Sequence, residues 1–322
     1  MDLFTKKNYV IYFDYEFCDD VKYGDLRPKE LTFCTDDLLH AIVTCGMPIY
    51  YCRTRSAVIR RKDELVYKIA AIQFALDEQP DPKDSSRNVL VLSDRLRYLD
   101  PSEKGVLSYY IGMFFTKLIS KKIFHVQYLV HLSIAQMIYS IILEEKGRPD
   151  LIGYNLRSGD YSVFEAKGRA RYSEKTLDDA CGQVQMVKYI CGDKPSLRVA
   201  NLMYFRKKDK IKKVLQSSIK DPEGAEGISI DFPPEKILRQ YYQPICELID
   251  EIRNAAAADN SFGQNPYSAR LLLPGQHSVT ITLPSVVYNM FSDEFSQFNM
   301  EEMKEYVMGR EEDDDLVQIE FE

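Results

Sequence analysis

The stretch GRPDLIGYNLRSGDYSVFEAKGRA, residues 147–170, contains the pattern that decides the fold. Two runs of high β propensity flank a turn at Ser158-Gly159-Asp160, which predicts a hairpin. Side chains alternate along a strand, so Glu165 and Lys167 are expected on the same face. Asp150 lies at the head of the neighbouring strand. The hairpin therefore predicts two acids and a base close together.

These side chains have the chemistry of a metal-assisted hydrolytic site. Mg²⁺ prefers oxygen ligands, and Asp150, Glu165 and the carbonyl of Ala166 would supply three. A divalent cation neutralises a phosphate and activates a water, and Lys167 would hold that attacking water. An acid and a lysine two apart on a strand also occur on many solvated surfaces. A plain surface ion pair is therefore the alternative.

The same residues resemble the signature of a nuclease superfamily. Pro149-Asp150, fourteen intervening residues and then Glu165-Ala166-Lys167 resemble the PD-(D/E)xK, or restriction-endonuclease-like, superfamily. The resemblance implies that the two acids are metal ligands and that the lysine is catalytic. It also implies Mg²⁺ or Mn²⁺ as the cofactor.

A second motif lies in the helix predicted after the hairpin. Gln185 and Tyr189 are four residues apart and resemble the QxxxY motif of RecB-type and related members, with Gln183 as a lesser candidate. Residues four apart share one face of a helix. The resemblance therefore implies that Gln185 and Tyr189 both reach the catalytic site.

The resemblance further implies an α/β fold in which a mixed sheet is flanked by helices. The superfamily core is a helix, a strand meander, a helix and a further strand. The order here is similar, with a helix over about 123–146, the hairpin, a helix over about 174–191 and a strand over 198–205. Only two strands are predicted between the helices, where the superfamily usually has three. Some members add a Glu or His on the preceding helix, for which His131 and Glu145 are candidates.

Three segments are expected along the chain. Residues 1–95 alternate strand and helix patterns, which indicates a small α/β N-terminal module for binding a partner, sensing or target recognition. The nuclease-like domain is expected over 96–260, and a hairpin extension with an acidic tail over 261–322. Asp100, followed by a proline, predicts a helix start. The aromatic residues of that helix are expected in the core.

Charge is distributed unevenly. The net charge is −7, but ten acidic and two basic residues lie within 301–322, so the rest of the chain carries +1. The segment 206–213 holds six bases and one acid, a local footprint that can bind phosphate. The acidic run 311–315 is expected to be a disordered, solvated end, and the alternative is that it lies across a basic cleft and competes with phosphate. The predicted contacts to a nucleic-acid backbone are Arg169, Arg171, Lys208, Lys210 and Lys212.

Composition argues against several classes of protein. No apolar run reaches the roughly 18 residues needed to span a bilayer, and the N-terminus lacks the pattern of a signal peptide. Seven cysteines without regular spacing do not indicate a disulfide framework, which favours a reducing compartment. We therefore expect a cytoplasmic protein with no membrane contact.

The sequence predicts a Mg²⁺-dependent deoxyribonuclease, and the resemblance implies a bacterial restriction or anti-phage defence system. RNA as the substrate, a protein partner at the N-terminal module and homo-oligomers remain open. One alternative is a non-catalytic module that keeps the fold and binds nucleic acid or protein. Another is a DEDD-type exonuclease using Asp14 and Glu16, although no matching further acidic motifs follow.

Overall fold

The computed structural model describes most of the chain. The described residues are 7–17, 29–45, 61–139, 147–208, 211–223, 227–258, 265–273, 275, 277–292, 298–310 and 314–322. Among them, no helix combines the length and the apolar character needed to cross a membrane.

Strands and helices are interspersed along the chain. The strands are β1 (Asn8–Phe17), β2 (Glu30–Cys34), β3 (Leu76–Pro80), β4 (Asn88–Leu92), β5 (Tyr128–His131), β6 (Leu151–Tyr154), β7 (Tyr161–Gly168), β8 (Val187–Ile190), β9 (Leu197–Lys208), β10 (Ile211–Asp221), β11 (Ile228–Ile230), β12 (Ser268–Leu272), β13 (Ser278–Thr282) and β14 (Gln318–Phe321). The helices are α1 (Thr35–Thr44), α2 (Arg61–Ala75), α3 (Pro101–Lys122), α4 (Leu132–Tyr139), α5 (Glu174–Gln185), α6 (Pro234–Ala258), α7 (Ser285–Phe291) and α8 (Met300–Met308), with a 3₁₀ helix at Asp94–Tyr98.

Nine of the described strands form one mixed sheet. Their order is β2-β1-β4-β10-β9-β7-β6-β5, and β3 pairs with β4. Strand β1 begins beside β4 and continues parallel to β10, with Tyr12 opposite Gln216. The N-terminal strands therefore extend the sheet of the central segment. The boundary expected at residue 95 does not separate two sheets.

Along the chain, the elements at the centre of this sheet follow the order α3, β5, α4, β6, β7, α5, β8 and β9, and β8 pairs with β11 outside the sheet. Strands β5, β6 and β7 form an antiparallel meander, and β9 pairs in parallel with β7. Helix α5 packs on β7 and β9, while α3 packs on β7. The contact between α3 and β7 requires glycine, because a Cβ on Gly168 would lie 1.9 Å from the carbonyl oxygen of Ser108. Helix α3 thus lies directly on the strand that carries Glu165 and Lys167.

Two expected helices are shorter than the sequence pattern indicates. Strand β5 occupies part of the range 123–146, in which a helix was expected. The described helical part of that range is therefore only α4. Strand β5, which the sequence pattern did not predict, pairs antiparallel with β6. The helix expected over 174–191 ends at Gln185, and Val187–Ile190 is a strand paired with β11.

The C-terminal region is ordered in its described part. Strands β12 and β13 form the expected hairpin, and β14 adds a third strand to it. The prediction of a solvated tail over 311–315 is wrong at Asp315, which is fully buried. Residues 311–313 lie outside the described residues.

Candidate active site

The hairpin brings Asp150, Glu165 and Lys167 together. The backbone N–H of Asp150 donates to Oε2 of Glu165 at 2.7 Å. The N–H of Ala166 donates to Oδ2 of Asp150 at 3.1 Å, and the Lys167 ammonium pairs with Oε1 of Glu165. Each carboxylate thus bonds to the backbone of the other strand. This reciprocal pair fixes both acids on the sheet.

Burial makes this group electrostatically unbalanced. Glu165 is fully buried, whereas a quarter of the Lys167 side chain is exposed. Burial, and then the charge of Asp150, raise the pKa of Glu165 to about 8, although Lys167 opposes the shift. Burial also raises the pKa of Asp150. Lys167 offsets the burial of the two carboxyls only in part, and the charge of Arg148 also acts on Asp150.

An added cation fits this donor set. The side-chain donors are carboxylate oxygens, which are the ligands that Mg²⁺ and Mn²⁺ prefer. A divalent ion would supply the charge that Lys167 alone does not. Asp150 and Glu165 are therefore the residues that would hold a metal. The carbonyl of Ala166 lies between Glu165 and Lys167 on the same strand.

Basic residues lie next to this group at the end of β7. Arg169 and Arg171 follow Lys167 and are exposed. Lys167 is opposite Leu202 on β9, and β9 continues in the same direction to Lys208, roughly 20 Å further at the rise of a strand. Lys208, the last residue of β9, therefore lies beyond the end of β7 that carries Lys167. Lys210 and the side chains of Lys208 and Lys212 are outside the described residues.

The residues of the QxxxY motif do not share a helix face. Gln185 is the last residue of α5, and its amide donates to the carbonyl of Glu223 at 2.7 Å. Tyr189 lies on β8. The amide of Gln183 instead donates to the carbonyl of Arg148 at 2.9 Å. Gln183 is thus the glutamine that contacts the segment leading into Asp150.

His131 is buried at the end of β5 and borders the same region. The residue after it, Leu132, donates its N–H to the carbonyl of Asp150 at 2.9 Å. His131 also lines a pocket together with Lys68 and Tyr109. Lys68 could not be predicted as a pocket residue, since nothing in its helix pattern distinguishes it from a solvated lysine. The other suggested residue, Glu145, is outside the described part of the chain.

A second group of possible ligands is formed by His40, Asp314 and Asp315. Their ligand atoms lie within 4.8 Å of one another. The ammonium of Lys121 lies among them, 2.6 Å from Oδ1 of Asp314, 3.1 Å from Oδ1 of Asp315 and 3.1 Å from Nε2 of His40. Lys121 thus supplies the positive charge that a metal would bring. We regard this group as structural.

Asp14 is separate from both groups. It is exposed on β1 and lies in one row of the sheet with Ser218, Leu202 and Lys167. Three strand spacings separate Asp14 from Lys167, which is about 14 Å. The side chain of Glu16 is outside the described residues. Asp14 therefore does not join the acidic pair.

Comparisons with protein-family models, curated proteins and solved structures yield no match to this chain. The chemistry of the site therefore has to be argued from its own geometry.

Proposed function

We propose that the protein is a metal-dependent nuclease that hydrolyses phosphodiester bonds in DNA. The observation that carries this proposal is the buried pair Asp150–Glu165, fixed by reciprocal bonds and accompanied by one lysine. Strongly shifted carboxyls beside a charged partner are more common at functional sites than elsewhere. The donor set suits Mg²⁺ or Mn²⁺, and RNA is the alternative substrate.

The order of elements supports a restriction-endonuclease-like core. Helix α3, the antiparallel strands β5, β6 and β7, helix α5 and strand β9 occur in the order of that superfamily's core, although α4 intervenes between β5 and β6 and β8 intervenes between α5 and β9. The helix expected in the first position, residues 123–146, is not α3, so this correspondence is part of the proposal. A mixed sheet flanked by helices occurs in many folds, so the argument for function comes from the site itself.

Each residue has a distinct role in the proposed reaction. A bound divalent ion would supply Lewis acidity and neutralise charge on the phosphate. Asp150 and Glu165 would hold that ion, with the Ala166 carbonyl beside them. Lys167, released from Glu165, would orient the attacking water. Arg169 and Arg171 would contact phosphates of the strand, because they are exposed just beyond the lysine.

Cleavage assays with the full chain test this proposal. Circular and linear DNA, in single- and double-stranded form, and RNA are incubated with Mg²⁺, Mn²⁺ or EDTA. We expect cleavage with either metal and none in EDTA. Lys167→Met should reduce the rate by about 100-fold or more, the scale of a lost proton-transfer or water-positioning group. Lys194→Met, at an exposed position, is the matched control.

Two results would oppose the proposal. Cleavage that persists in excess chelator would exclude metal assistance. Binding of nucleic acid without cleavage under any metal condition would favour the non-catalytic alternative, in which the ion pair of Lys167 and Glu165 only stabilises the hairpin.

A further inference from the structure

A pocket that the proposed chemistry does not use opens beside the acidic pair. Its volume is about 320 Å³, at the lower end of the range for small-molecule sites. It adjoins the hairpin, because His131 lines it and the next residue bonds to the Asp150 carbonyl. Burial raises the pKa of Tyr109, another lining residue, and the charges of Asp150 and Glu165 raise it further. The pocket and the acidic pair are therefore neighbours.

The charges of the polar side chains that line the pocket cancel one another. The ammonium of Lys68 lies 2.6 Å from Oε1 of Glu64, and both residues line the pocket. Burial, together with the charge of Lys68, lowers the pKa of His131 to about 4, so this imidazole is neutral at pH 7. These three groups carry no net charge together. They offer hydrogen-bond donors and acceptors to an uncharged polar group and little attraction to a phosphate.

Aromatic rings form another wall of the pocket. The rings of Tyr110 and Phe114 stack with their centroids 5.4 Å apart, and the ring centroids of Tyr109 and Tyr110 are 5.7 Å apart. Tyr109 was expected in the core, yet 46% of it is exposed. An exposed ring beside a polar pocket suits a flat group that has both a π face and a polar edge. Nucleobases have this combination, and they stack on protein aromatic rings without regard to sequence.

We propose that this pocket receives one unstacked nucleobase of a single-stranded nucleic acid whose phosphate lies at the Asp150–Glu165–Lys167 site. The inference deepens the proposed function and rests on it for the position of the phosphate. A base in a duplex is stacked and paired, so it must leave the helix before it can enter a pocket of this size. The substrate class is therefore a single strand, a flap or a frayed end.

Binding measured without cleavage tests the inference. The full chain in EDTA is titrated into a labelled single-stranded oligonucleotide, the same strand annealed to its complement, and a set with one abasic position each. Single strands should bind more tightly than the duplex, and one abasic position should weaken binding more than the others. Tyr109→Ala should weaken single-strand binding by about 5-fold to about 150-fold, the range for one lost stacking contact, whereas Tyr109→Phe keeps the ring and should bind like the parent.

A competition experiment on the unaltered protein avoids any effect of substitution on folding. A free nucleoside, which has a base and no phosphate, should displace the labelled single strand. Ribose 5-phosphate, which has a phosphate and no base, should not. Displacement by ribose 5-phosphate alone would overturn the proposal, as would equal binding by the Tyr109→Ala and Tyr109→Phe proteins.

The two proposals fail in different ways. If Tyr109→Ala has no effect while cleavage still needs metal and Lys167, the nuclease assignment stands and the base pocket is wrong. If the pocket binds nucleosides through Tyr109 but Lys167→Met leaves cleavage unchanged, the pocket stands and the assigned catalytic site is wrong.

Discussion

Helix α3 contacts two buried groups of charged side chains that differ in their charge balance. At the hairpin, the ammonium of Lys167 pairs with Glu165, which also accepts the backbone N–H of Asp150. In the C-terminal region, the fully buried Asp315 faces His40 and two lysines of α3. Burial raises the pKa of both hairpin carboxyls. Burial also acts to raise that of Asp315, but its basic neighbours bring it well below the usual range.

The difference separates a group whose charges are satisfied within the protein from the pair to which we assign the proposed metal site. Asp315 accepts bonds from Lys121, Tyr241 and the backbone N–H of Val317, so its charge is satisfied within the protein. The pKa values of the acidic pair at the hairpin stay raised despite Lys167, so its negative charge is less well compensated than that of Asp315. Under the proposed function, a cation from solution would complete this compensation. Four predictions test this contrast.

The largest expected effect is on the C-terminal group. Asp315→Asn leaves two lysine ammonium groups facing a neutral amide, and removing one partner of a buried pair typically costs about 3–5 kcal/mol. We expect the midpoint of urea unfolding to fall accordingly. Asp36→Asn, at a half-buried position of α1, is the control. A loss below about 1 kcal/mol would place the Asp315 group among weak surface pairs and remove the contrast.

The second prediction concerns pH and His131. The pKa of this imidazole is lowered to about 4, whereas in the unfolded chain it is about 6.5. Between these values the unfolded state binds a proton that the folded state does not. The contribution of His131 to stability should therefore decrease as the pH falls from about 6.5 to about 4, by up to roughly 3 kcal/mol, while the raised pKa of Glu165 acts in the opposite direction between about 4.5 and about 8.

Unfolding curves across this pH window measure the effect. His131→Gln should remove the contribution of His131 to the pH dependence of stability. His125→Asn, at an exposed position, is the matched control. Burial and the neighbouring lysines also lower the pKa of His40, so part of the slope should remain and respond to His40→Gln. An unchanged slope in both variants would contradict burial of neutral imidazoles.

The third prediction concerns Asp150, where removing a buried charge should not lower the stability, in contrast to the loss expected at Asp315. Asp150→Asn keeps an acceptor for the N–H of Ala166 but removes one of two like charges. Without metal, the variant should be at least as stable as the parent, because burial disfavours the charged form of Asp150. Added Mg²⁺ or Mn²⁺ should raise the melting temperature of the parent and not of the variant, because the variant has lost a ligand. A large loss of stability without metal would make the hairpin group structural.

Local patterns predicted the hairpin and its acids, and the reasons are specific. Alternation along YSVFEAK fixes the face of Glu165 and Lys167, and Asp100 with the following proline fixes the start of α3. Strand β5 was missed because its residues lie in an apolar run, where periodicity does not separate a strand from a buried helix. The end of α5 was missed because the following strand is only four residues long.

Contacts between distant segments could not be predicted from one sequence. Asp315 bonds to His40, which lies 275 positions earlier in the chain. No local pattern indicates this contact, and the run of five acids therefore predicted a solvated tail. Lys68 belongs to α2, more than sixty positions before His131, and only the fold brings both to one pocket. The acids of the hairpin could be predicted because the residues that hydrogen-bond there lie at most sixteen positions apart in the chain.

The smallest expected effect tests the competing acidic site. Asp14 is exposed on β1, about three strand spacings or 14 Å from Lys167 along one row of the sheet. At that distance a solvated carboxylate is beyond the Debye length of about 10 Å at 0.1 M salt and neither ligates a metal nor orders water at the hairpin. Asp14→Asn should therefore leave the cleavage rate and its metal dependence unchanged in the assay that detects the loss in Lys167→Met. Loss of cleavage in Asp14→Asn together with full activity in Lys167→Met would move the catalytic centre to β1 and favour the DEDD-type mechanism.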